Sequence, residues 1–212
     1  MSGSVDSKAF DTREREYEAQ MLGIWVFLAS ETLIFAASTL VYLILRWQHA
    51  DAFAEAAAHM SLPLGTANTV VLLTSSLTMA LADIRAGEGR ESARRWLSIT
   101  ALLGILFLGL KIYEWHLHAA EGLAPFLGWI FEYDGPDPEA AALLFRLYYI
   151  ATGLHAFHLT IGIGLVGGAA LLWPRIGAAK RGERAAVFAL YWHLIDVVWV
   201  FLFAFFYLGG RA

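Results

Sequence analysis

The sequence predicts an all-α, polytopic membrane bundle of five transmembrane helices. Three observations predict it. Of 212 residues, 58% are hydrophobic and only 16% are charged, where a soluble domain carries about a quarter charged residues. The mean hydropathy is +0.57. The apolar residues gather in blocks at 22–45, 64–82, 96–113, 147–172 and 186–208, each close to the roughly 20 residues a helix needs to cross a bilayer core.

Residues 1–21 form a polar N-terminus that mixes Lys8, Arg13 and Arg15 with five acidic residues and has no apolar core of its own. It does not read as a cleaved signal. Span one, from Leu22, exceeds the roughly 7–15 apolar residues of a signal peptide and is expected to remain as an anchor, so 22–208 reads as one membrane domain. Spans two and three end near Asp83, Lys111 and Glu114, which are expected at the interface, where charge is cheap. The connection 114–146 is acidic and punctuated by Pro125, Gly135, Pro136 and Pro138, a turn-rich cap. Span four is threaded by Gly153, Gly162, Gly164, Gly167 and Gly168; the Gly164 to Gly168 spacing is the one that lets helix backbones approach. Tryptophans such as Trp25, Trp47, Trp115, Trp129 and Trp173 flank the spans as interfacial belts.

Eleven of the 15 lysines and arginines fall in the N-terminus, between spans two and three, or between spans four and five. The positive-inside bias therefore predicts a cytoplasmic N-terminus and a C-terminus on the opposite, periplasmic side. The opposite side has Arg46 and Arg211. A net charge of −4 gives no reason to expect a nucleic-acid partner. The absence of cysteine excludes disulfides, thiolate metal sites and iron–sulfur clusters.

An ionisable group inside a span costs about 2.5–3.5 kcal/mol, so each needs a partner, water or a function. Glu31 lies ten residues into span one, either as a proton-exchanging or cleft-lining carboxyl or as a neutral acid bonded to a neighbouring helix. His155 and His158 in span four, and His193 and Asp196 in span five, are each three apart, so each pair shares a helix face. If those two faces meet, they form either a metal or haem site or, as the favoured reading, an interhelical hydrogen-bond network in which Asp196 orients an imidazole. Trp192 and Trp199 flank Asp196 at helical spacing and are expected to pack around it. His116 and His118 beside Trp115 read as interfacial.

The run from Tyr191 to Leu202, with Trp192, His193, Asp196 and Trp199, resembles the signature that closes subunit III of the haem–copper terminal oxidases. The runs Gly153 to His158 and Phe27 to Glu31 resemble two further motifs of that family, and Leu62-Pro63, Asn68-Thr69 and Glu114 also fit. The resemblance implies a cofactor-free auxiliary subunit packed on subunit I, with subunit II nearby and bound phospholipid at its surface. Haem and copper then belong to the partner. It also implies that Glu31 is a carbodiimide-reactive carboxyl and that His155, His158, His193 and Asp196 organise the bundle without binding metal. The long form of the family has seven spans; this chain resembles the five-span form found in quinol oxidases and in accessory proteins of nitric oxide reductases. Two alternatives stand beside the oxidase reading: a nitric oxide reductase accessory subunit, and an independent haem-binding membrane cytochrome.

Overall fold

The computed structural model describes residues 3–125, 131–135 and 137–209. Trp129, Pro136 and Arg211 lie outside the described residues. Among the described residues there are six α-helices: α1 (Gly3–Gln48), α2 (Ala50–Ala57), α3 (Leu62–Gly87), α4 (Ala93–Ala120), α5 (Pro138–Leu172) and α6 (Ala178–Phe203). A 3₁₀ turn at Trp173–Arg175 follows α5, and a π-helical turn at Ala204–Leu208 follows α6. Five segments are long and apolar enough to cross a membrane, and no strand occurs among the described residues. The fold is the predicted five-span all-α membrane bundle.

The helices run past the apolar blocks at several ends, and two of these boundaries border the expected loop. Helix α4 continues past 113 to Ala120, where Gly122 (φ 75°) closes it. There the Leu123 N–H donates to the His118 carbonyl at 2.8 Å and the Gly122 N–H to the Ala119 carbonyl at 3.2 Å, the paired bonds of a left-handed helix stop. Helix α5 begins at Pro138, because Asp137 accepts from the Ala140 N–H at 3.0 Å and proline suits the first helical position. Helix therefore takes both ends of the expected loop, at 114–120 and 138–146.

Helices α3, α4, α5 and α6 form the core, and two tryptophans on α6 hold it to α3. Trp192 Nε1 donates to Ser75 Oγ at 3.1 Å, and Trp199 Nε1 donates to Thr69 Oγ1 at 3.0 Å. Both indoles are fully buried. Helix α1 leans on α5 and α6 through a narrow stripe of Leu28, Phe35 and Tyr42, spaced at two helical turns. Other apolar residues of α1 are open: Leu22, Trp25, Leu33 and Trp47 are between 57% and 85% exposed.

Of the expected glycines, Gly162 lies at a close approach, where a Cβ would press on Ile195 and Trp192 of α6 at 3.3–3.4 Å, whereas one on Gly153, Gly164 or Gly168 would meet nothing within 4 Å. The tight contacts are at Gly104, where a Cβ would lie 2.8 Å from Ile163 and 2.9 Å from Trp192, and at Gly65, where it would strike the Tyr207 ring at 2.5 Å. The glycine spacing of span four falls on the outward side of α5, so it builds no contact within this chain.

Lys111 and Glu114 also depart from expectation. With α4 extended to Ala120 they lie well inside the helix, 1% and 0% exposed. Lys111 Nζ donates to Glu114 Oε2 at 3.0 Å, to Tyr148 Oη at 2.8 Å and to Tyr207 Oη at 2.6 Å. These three bonds use all the donors of an ammonium. Tyr207 Oη also donates to Glu114 at 2.7 Å, and the Lys111 cation sits 5.0 Å from the Trp199 ring. The cluster joins α4, α5, α6 and the π turn.

At one end of the bundle the α3–α4 and α5–α6 connections meet. Arg181 bonds Glu91 at 2.5 Å and the carbonyls of Ile176 and Trp173, and Arg94 donates to the Ala170 carbonyl at 3.0 Å. At the other end His49 of the α1–α2 junction faces Asp137 at 3.9 Å.

Two outcomes test this packing. Gly104→Leu should lower the thermal stability of the detergent-purified protein by about 1–3 kcal/mol through overpacking, while Gly164→Leu should leave the isolated chain unchanged. Lys111→Met should cost about 3–5 kcal/mol by stranding the Glu114 carboxylate, and adding Glu114→Leu should recover much of it. Denaturant unfolding followed by tryptophan fluorescence measures both.

Candidate functional site

The polar groups expected between spans four and five do not form one cluster. Helical geometry explains why. Trp192 occupies the inward face of α6, so His193, the next residue, is turned about 100° away. His193 Nδ1 lies 2.9 Å from Ser76 Oγ on α3 and 3.7 Å from Asp196 Oδ2. The pair therefore bridges α6 to α3 and not to α5. Neither carboxylate oxygen of Asp196 has a hydrogen-bond partner among the described residues, although the residue is only 4% exposed.

His158 faces the other way, to α1. Its Nε2 lies 2.6 Å from Glu31 Oε2, and both side chains are close to 90% buried. The Nδ1–H donates to the Leu154 carbonyl at 2.8 Å, because a carbonyl can only accept. That bond fixes the tautomer and leaves Nε2 for the carboxyl. The contact is at ion-pair distance, with Glu31 Oε2 outside hydrogen-bond alignment to the ring. Tyr191 Oη donates to the His158 carbonyl at 3.1 Å, and Phe35 packs on the His158 ring at 5.4 Å. Elements α1, α5 and α6 all support the pair.

His155 is the third case. It is 1% exposed, lies between the rings of Phe107 at 5.5 Å and Trp199 at 5.2 Å, and neither ring nitrogen has a partner among the described residues. Among the described residues no group of three or more His, Asp or Glu side chains is placed to hold a metal ion. The imidazoles of His155, His158 and His193 diverge towards three different helix contacts. His118, expected at the interface, is also buried, against Phe145 and Tyr148.

Beside the Glu31–His158 pair, α1 and α6 leave an apolar groove of about 390 Å³, lined by Phe35, Leu40, Leu43, Leu194, Val198 and Phe201 among others. Its position follows from the narrow stripe by which α1 touches the core. The sequence reading missed Ser76 and Tyr207 as partners. Ser76 is one hydroxyl among several on α3, and Tyr207 turns inward only because the helix widens to a π turn.

Comparison with known proteins gives the same family from two directions. The profile of the family described as cytochrome c oxidase subunit III matches residues 138–211, which hold the His155, His158, His193 and Asp196 positions. A protein named cytochrome c oxidase subunit 3 from Thermostichus vulcanus is 30% identical over 220 residues, covering 100% of both chains. A probable quinol oxidase subunit 3 from Staphylococcus aureus is 31% identical over 213 residues, covering 99% of this chain and 98% of that protein. Full-length similarity at this level, joined to five membrane helices and to the motifs at the sites just described, makes this chain a member of the subunit III family of cytochrome c and quinol oxidases.

Proposed function

We propose that this chain is the non-catalytic subunit III of a bacterial haem–copper oxidase, where it stabilises subunit I and supports its proton uptake and its durability over many turnovers. The complex would include subunit II and would reduce dioxygen to water while pumping protons; haem and copper would sit in the partner. The observation that carries this reading is the Glu31–His158 contact at 2.6 Å, a carboxyl–imidazole pair near the middle of the membrane beside an apolar groove. Such a pair can take up and release a proton without metal, and an intramembrane ionisable pair of this kind marks a proton or ligand site. The groove suits the acyl chain of a membrane phospholipid, since its lining is almost wholly apolar.

The orientation belongs to the same proposal. The Arg181–Glu91 bond and the Arg94 contact place the two basic connections together at one end, and the positive-inside rule assigns that end to the cytoplasm. The N-terminus is then cytoplasmic and the C-terminus periplasmic, in the inner membrane.

The experiment is oxygen consumption by the purified complex carrying Glu31→Gln, at equal haem content and followed over time. The amide can still donate to His158 Nε2, so assembly should persist and the initial rate should stay within about twofold, under about 0.5 kcal/mol of barrier. Carbodiimide labelling of α1 should disappear and inactivation over repeated turnovers should quicken. Immediate loss of all activity with assembly intact would instead make Glu31 part of an obligatory proton path. Recovery of the wild-type chain from gentle detergent only as a free monomer would overturn the subunit assignment.

A further inference from the structure

The outer surface of the bundle is uneven in its chemistry. The face of α5 that carries Gly153, Gly164 and Gly168 presents Ile150, Phe157, Ile161 and Leu165, and the α1/α6 groove is apolar; hydrocarbon satisfies both. The α3/α6 seam is different. His193 lies 13 residues from Lys180 and 15 from Leu208, the ends of its span, which puts it about 20 Å from either end at 1.5 Å per residue. Its side chain is 39% exposed at that depth. Ser76, its partner, is half-buried on the same seam, and Asp83 lies two turns along α3 on the same face. Behind it, the Asp196 carboxyl has His193 and Ser76 beside it, but neither of its oxygens makes a well-aligned hydrogen bond among the described residues.

Acyl chains carry no donor or acceptor, so an imidazole and a carboxylate at half depth cannot be left to lipid. Polar side chains at such positions hydrogen-bond across helices. Resting on the subunit III reading above, we propose that the α3/α6 seam around Ser76, His193 and Asp196 is the face that packs on subunit I, against a transmembrane helix that offers a hydrogen-bond donor, a hydroxyl, amide or cation, to the His193–Asp196 pair. Leu77, 61% exposed beside Ser76, lies within the contact. The apolar α5 face and the α1/α6 groove remain with lipid. The two half-depth pairs thus have separate tasks: Glu31–His158 belongs to the lipid-side groove, and His193–Asp196 to the protein interface.

The test uses the complex in its native membrane. A photo-reactive benzophenone side chain is placed at Leu77 on α3, at Leu165 on α5 or at Leu40 on α1, each exposed in the free chain. After illumination, the product is identified by mass spectrometry. Leu77 should crosslink to the haem-bearing subunit and the other two should not. In parallel, Leu77→Cys supplies the chain's one thiol, since the native sequence has no cysteine, and it should be shielded from a membrane-impermeant charged thiol reagent in the intact complex. Crosslinks to the haem-bearing subunit from Leu165 or Leu40 with none from Leu77 would overturn this interface and leave the subunit III reading standing. Rapid reaction of the Leu77→Cys thiol would also overturn it, showing that the seam lines a water-filled crevice. If no haem-bearing subunit co-purifies with any of the variants or with the wild type, the subunit III reading itself fails, and the interface with it.

Discussion

The bundle is organised around one buried ammonium group. Lys111 and Glu114 are buried together, and in a medium that cannot solvate charge such a pair persists only if every donor and acceptor is met. Meeting them dictates the positions of three other elements. Tyr148 must face inward from α5, Tyr207 must reach back from the end of α6, and the Trp199 ring must lie beside the cation. The π turn at Ala204–Leu208 follows from the second of these demands: it rotates Tyr207 into the cluster, and the widened ring leaves the Phe205 carbonyl to accept from Tyr42 Oη of α1 at 2.7 Å. A charged pair on α4 thus also decides where the outermost helix is tied.

Helix α6 distributes its neighbours by angle. Trp192 and Trp199 point at α3, Tyr191 bonds the α5 backbone, and His193 emerges at the seam with α3. No two of these jobs fall on one face, which is why the expected meeting of two His faces between α5 and α6 does not occur. The same angular logic applies to α5. His155 and His158 are three residues apart and so differ by about 60° around the helix, enough for one to enter the aromatic core and the other to reach α1.

Helix α1 is attached differently from the rest. Among the described residues its contacts with the core come from the Leu28, Phe35 and Tyr42 stripe, Ile24 and Leu45, the Phe27–Tyr191 ring contact, the Glu31–His158 contact and the Tyr42 hydrogen bond. The groove beside it exists because that stripe is narrow. The carboxyl of Glu31, deep in the apolar part of α1, meets a residue of the core bundle. This links the fold to the proposed role: the Glu31–His158 contact sits at the edge of the bundle beside the groove, and the interior is given to the Lys111 cluster.

The sequence by itself determined the class of fold, the number of spans, the few ionisable residues inside them and the family, because each of these is written in local composition and in contiguous motifs. Hydropathy marks a span without reference to its neighbours, and Glu31, His158, His193 and Asp196 stand out against apolar runs. Helical spacing further showed which residues share a face. It did not show what each face meets. Only the tertiary structure decided that Glu31 pairs with His158, that His193 pairs with Ser76, that Lys111 and Glu114 belong to the core and not to a span end, and that Gly65 and Gly104 rather than Gly164 and Gly168 mark the close approaches. The physical reason is that a helix fixes the angles between its own side chains, whereas the choice of partner depends on how four other helices are rotated, and that rotation is set by the joint demand that large rings fill the core and that buried polar groups find partners.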